Sequence, residues 1–193
     1  MLALLTSLSV SSIKVSADKF LFFTYNVKMR KNIIYRTALI AVLTALACVL
    51  RLWLVALPNV KPITAMFLAF ALVLGLTDSL WIMALTMLAT GLILGFSPLV
   101  AGQIIVYALI IMLFKSLAQL TTNLGILSLL TALSALLYGC LISVFSGLLY
   151  GFGPGGFLAY WLAGLPFDLA HALSTFIFFP IVMLILKQIK TRN

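Results

Sequence analysis

The sequence predicts an all-α integral membrane protein with six transmembrane helices and both termini cytoplasmic. Composition is the first observation behind that expectation. Of 193 residues, 65% are hydrophobic and 8% charged, whereas soluble domains carry about 25% charged and about 45–50% apolar residues. Such a chain cannot cover a water-facing surface. The second is the placement of its net +9. Lys14, Lys19, Lys28, Arg30, Lys31 and Arg36 precede the first long apolar run, and Lys187, Lys190 and Arg192 follow the last. Basic tails mark the cytoplasmic side, and the absence of a basic patch on a folded polar face argues against nucleic-acid binding. The third is arithmetic: two ends on one side require an even number of spans. At about 20 residues per span, the chain between Tyr35 and Lys187 holds six, and four would leave too much apolar sequence over.

Residues 1–28 read as an N-terminal extension, disordered or not native. They lack the basic segment that opens a secretory signal, and Met29-Arg-Lys-Asn sets a basic cluster directly before a strong span, so Met29 is the expected start. Residues 29–193 form the membrane domain. Span one runs from about Tyr35 to Leu57 and ends at Pro58-Asn59-Val60-Lys61-Pro62, which breaks a helix. Residues 63–96 as one helix would reach about 51 Å against a hydrocarbon core of about 30 Å. The break belongs at Gly75-Leu76-Thr77-Asp78-Ser79, where Gly ends one helix and Thr, Asp or Ser caps the next. Both halves are then short for spans. Gly95-Phe96-Ser97-Pro98 is an outer turn with Pro98 opening span four, which continues to about Leu117. A polar inner loop with Lys115 leads to span five, about Leu124 to Tyr150. Gly151-Phe152-Gly153-Pro154-Gly155-Gly156 stops it. An aromatic segment, Phe157 to Pro166, precedes span six, about Phe167 to Leu186. The irregular connections thus gather on the outer face, where backbone outside a helix must line a wet cavity or be buried in protein.

Few residues carry chemistry. Asp18, Asp78 and Asp168 are the carboxylates; Asp18 lies in the extension and Asp78 reads as a cap at the inner turn. Asp168 and His171, at i and i+3, can pair on a helix, and intramembrane ionisable groups are functional suspects; capping after Pro166 explains Asp168 equally well. Arg51, followed by Trp53, either snorkels to the interface or points into an outer cavity with Lys61. Gln103 and Tyr107, at i and i+4, contact a ligand or cross-link helices, and Asn59 and Thr64 share that ambiguity. Thr37, Ala41 and Ala45 form a small-residue row that admits close helix approach, with packing inside the bundle as the default reading. Cys48 and Cys140 read as small buried residues. One His, no Glu, no G-x-S-x-G and no Walker A leave little support for metal, hydrolase or ATPase chemistry. No cofactor or metal is expected.

Taken in order, these features resemble the membrane-embedded substrate-binding S components of energy-coupling factor (ECF) vitamin transporters. The resemblance rests on the size and basic tails, on Ala41-Val42-Leu43-Thr44-Ala45 as the Ala-x-x-x-Ala motif of helix one, and on the loops Leu57-Pro58-Asn59-Val60-Lys61-Pro62-Ile63-Thr64-Ala65 and Gly95-Phe96-Ser97-Pro98. It covers Met29 onward. It implies a multi-pass protein of a prokaryotic plasma membrane, not itself an enzyme. Such a protein captures a vitamin from outside and docks through Ala41 and Ala45 on a transmembrane coupling protein that holds two ATPases. Arg51, Asn59, Lys61, Thr64, Phe96, Gln103, Tyr107, Tyr160, Trp161, Asp168 and His171 are the expected ligand contacts. Amide and aromatic side chains favour a large, mostly neutral ligand, cobalamin first, with pantothenate, riboflavin or folate behind it. The rival classes are a stand-alone proton-coupled carrier using Asp168 and His171, and a structural subunit that binds nothing.

Overall fold

The structure, a computed structural model, describes residues 33–56 and 60–191, with side chains through Gln188. The expectations for the N-terminal extension, Met29, Asn59 and Arg192 fall outside the described residues. Every element among the described residues is helical: α1 Ile33–Trp53, α2 Ile63–Val73, α3 Leu76–Leu94, α4 Pro98–Leu117, α5 Leu124–Tyr150 and α6 Gly156–Thr191, with short 3-10 turns at Leu54–Ala56 and Ala118–Leu120. Five of these stretches, all but α2, are long and apolar enough to cross a membrane. This is a membrane protein.

The chain divides into two compact units, Met1–Leu39 and Ile40–Asn193. Of the first, the structure describes the opening of α1, where the Thr37 hydroxyl donates to the Ile33 carbonyl at 2.9 Å. The second contains the bundle.

The break expected near Gly75 is there. Leu74 and Gly75 N–H groups both donate to the Phe70 carbonyl, and Gly75 takes φ 103°, a left-handed value that only Gly adopts at little cost. The two halves are unequal. α3, with 19 residues, is a full span, while α2, with 11, is about 16 Å long. Every residue of α2 is buried, because α3, α4, α5 and α6 all pack against it. An apolar helix that is apolar on every side has to be enclosed, and α2 is. Its one polar side chain is Thr64. Ser79 Oγ of α3 donates to the Phe67 carbonyl at 2.7 Å, and Ser174 Oγ of α6 to the Lys61 carbonyl at 3.3 Å, pinning α2 at its middle and its start. No side chain caps α3; its N-cap is Gly75. Asp78, expected as that cap, is buried in the first turn instead, where the helix dipole favours a carboxylate.

α4 begins at Pro98 as expected. α5 is capped by Asn123, whose side-chain oxygen accepts from Gly125 N–H at 2.8 Å and Ile126 N–H at 3.3 Å. α6 departs from the sequence expectation. It starts at Gly156 and runs unbroken through Pro166 and Pro180, taking in the aromatic segment expected to precede the span. A proline inside a helix removes one N–H and crowds the preceding turn, but within a membrane bundle neighbouring helices re-satisfy the freed carbonyl. Asp168 therefore sits mid-helix, and the capping explanation for it falls. α6 packs along α5 more extensively than any other helix pair. By contrast α1 buries only Ala47, and Cys48 and Cys140 are half-buried rather than core residues.

Candidate functional site

The segments 60–62, 95–97 and 151–155 lie at one end of the bundle, where α5 finishes and α2, α4 and α6 begin. A cavity of about 270 Å³ opens between the helices at that end. Its polar wall is built by residues three and four apart on each helix: Gln103 and Tyr107 on α4, Tyr138, Ile142 and Ser146 on α5, Asp168 and His171 on α6.

Arg51 points inward. Its guanidinium donates to Thr90 Oγ1 at 2.8 Å and to Gln103 Oε1 at 3.1 Å, and also contacts the Met87 sulfur. These bonds join α1 to α3 and α4, so Gln103 serves both readings offered by the sequence: it cross-links helices and lines the cavity. Lys61, half-buried at the start of α2, lies in the same wall. Burial, helped by the nearby Arg51 charge, holds its ammonium below the ordinary lysine value.

On the floor, Thr64 Oγ1 bonds the Tyr107 hydroxyl at 2.8 Å and His171 Nε2 at 3.0 Å, so three helices share one hydrogen-bonded chain. Tyr138 stacks on Tyr107 with centroids 4.1 Å apart, and lies 5.9 Å from the His171 ring. Asp168, 9% exposed, is packed over Gly139 of α5, where any Cβ would overlap its carboxyl group. Its Oδ2 has no hydrogen-bond partner. At the mouth, Tyr160 and Ser146 hydroxyls bond at 3.0 Å, and Phe152 packs edge-on against Tyr160.

Of the ligand contacts expected from sequence, Arg51, Lys61, Gln103, Tyr107, Tyr160, Asp168 and His171 line this cavity, with Thr64 linking two of them from below. Phe96 is 61% exposed and Trp161, whose indole N–H is buried without a partner, also lies outside the lining. The sequence reading passed over Tyr138, Ser143, Ser146 and Met87. On α5, Tyr138, Ile142 and Ser146 follow helical spacing along one face, a pattern that fits core packing as well as a cavity wall. Ala41 and Ala45 face out of the bundle, so the internal-packing reading of that row does not hold.

The described residues contain no cluster of three His, Cys, Asp or Glu side chains. What the arrangement offers is recognition: two cations, one carboxyl group, tyrosines and hydroxyls around a half-open cavity. Compared with known protein families, curated proteins and solved structures, the chain matches none.

Proposed function

We propose that this chain is the membrane-embedded capture subunit of an ECF-type importer. It is a six-pass protein of a prokaryotic plasma membrane, with both tails cytoplasmic and α2 as its short, buried sixth segment. It takes a small vitamin from outside into the cavity and passes it on through a transmembrane coupling protein driven by two ATPases. The observation that carries this reading is the polar cavity of about 270 Å³, inside an otherwise apolar bundle and at the end where the irregular loops gather. It has the character of a small-molecule site, a half-open concavity with a few convergent polar groups. Its volume sits just below the range of about 300–1,000 Å³ for such sites, which supports a small vitamin over cobalamin with its large corrin ring.

The outward-facing Ala41 and Ala45 support the docking half of the proposal. Their helix buries only Ala47, so its small-residue face is free for another helix to approach closely. The reading is tested by uptake and binding measured together, with a panel that includes pantothenate, riboflavin, folate and cobalamin. Ala41→Arg is expected to abolish uptake by cells carrying the coupling module while leaving ligand binding by the purified chain intact. Unchanged uptake in that variant, or transport by the chain alone in liposomes under a proton gradient, would overturn it.

A further inference from the structure

The cavity carries charges of both signs that do not neutralise one another. On the α1, α3 and α4 side, Arg51 directs its hydrogen bonds to neutral partners, Thr90 and Gln103, and half-buried Lys61 stands in the same wall. On the α5 and α6 side, Asp168 is seated in the Gly139 notch. Its Oδ2 is buried without a partner, although His171 is only one turn away. His171 turns its Nε2 to Thr64 instead. A carboxylate accepts and a guanidinium donates, so a direct pair between the two walls would satisfy both; the packing instead sets Arg51 against α3 and α4 and Asp168 against α5.

A buried charge without a counter-charge is costly. A single solute can relieve both walls at once if it brings an anion to Arg51 and Lys61 and a cation to Asp168. Arg is suited to a carboxylate, which it can hold through paired N–H bonds. Tyr138, stacked on Tyr107, lines the cavity between the two walls. We infer that the captured solute is dipolar, with a carboxylate-type anion at Arg51 and Lys61 and a protonated nitrogen at Asp168. This rests on the capture-subunit reading only in taking the cavity as the solute site.

The test uses the full chain in lipid nanodiscs and calorimetry with matched probes. Aminobutyrate, aminohexanoate and aminooctanoate step the distance between the charges. For each, the hydroxy acid of the same length removes the cation, and the amino alcohol removes the anion. At one length or more, the amino acid is expected to bind about tenfold tighter than either counterpart. Asp168→Asn should bring that amino acid down to the level of the hydroxy acid, while the hydroxy acid itself changes by no more than about twofold. The wild-type comparison stands even if the variant fails to fold. Equal binding of amino and hydroxy acids, a preference that survives Asp168→Asn, or no binding by any probe overturns the inference. Uptake of a singly charged vitamin through a coupling module would also overturn it while sustaining the capture-subunit reading. Dipolar binding by a chain that never engages such a module would do the reverse.

Discussion

The carboxylate of Asp168 occupies the space that a side chain at Gly139 would fill. The glycine is therefore a fit between α5 and α6, and a carboxyl group is held inside the bundle by the shape of its neighbour.

The consequence is a coupling that can be measured. Gly139→Ala should lower thermal stability in detergent, followed by tryptophan fluorescence, because the new methyl overlaps the carboxyl group. In an Asp168→Ala background the same change should cost little. The two substitutions should couple by about 0.5–3 kcal/mol, as contacting residues do. Equal costs in both backgrounds would show that the overlap relaxes elsewhere.

Thr64 is fully buried and its single oxygen serves both Tyr107 and His171. Thr64→Val keeps the shape and removes that oxygen, leaving two polar groups without their shared partner. A loss of about 1–3 kcal/mol is expected, the cost of stranding buried hydrogen-bonding groups. Thr64→Ser should retain most of the stability, since the hydroxyl remains. If valine and serine prove equivalent in unfolding experiments, the hydrogen-bonded chain does not hold the floor together.

Much of this was legible from residue order. The break at Gly75, the start of α4 at Pro98 and the extent of α5 follow from glycine, proline and polar punctuation, which act locally. That Arg51, Gln103, Tyr107, Asp168 and His171 share one cavity was one of two readings their positions allowed, since snorkelling, helix cross-linking and capping fitted the same residues. Two features were not local. Pro166 reads as a stop in a single chain, and only the surrounding bundle makes a helix through it tolerable. The enclosure of α2 depends on four other helices, so its 11 residues looked like half of a span. Tyr138 was hidden for a related reason. In an apolar run its spacing with Ser146 fits packing as well as lining, and only its stacking on Tyr107 separates the two.

α1 is the loosest helix, and Arg51 ties it to α3 and α4 through charged hydrogen bonds. Such bonds contribute about 1.5–3 kcal/mol. Arg51→Gln should let α1 separate more often and expose Cys48, whose thiol lies against the Thr86 carbonyl at 4.0 Å. In a Cys140→Ser background, maleimide labelling of Cys48 should then accelerate about ten- to hundredfold, in line with an opening free energy lower by that amount. Labelling at the wild-type rate would mean that Ala47 and its neighbours hold the helix without the arginine.

Lys61 sets a pH dependence of known sign. Burial and the Arg51 charge hold its ammonium below the ordinary lysine value, so it loses its proton at a lower pH than a free lysine. A bound anion favours the charged form and moves the value back up. Affinity for a carboxylate probe should accordingly be full below the lowered pKa of Lys61 and fall as pH rises through it. On that alkaline side, binding should take up protons, visible in calorimetry as a heat that changes with buffer ionisation enthalpy. An alkaline loss belongs to Lys61 or to the cavity tyrosines. Lys61→Arg separates these, because a guanidinium stays charged throughout. The variant should keep its affinity to higher pH with no proton uptake, and an alkaline loss undiminished in it would assign the effect to the tyrosines instead.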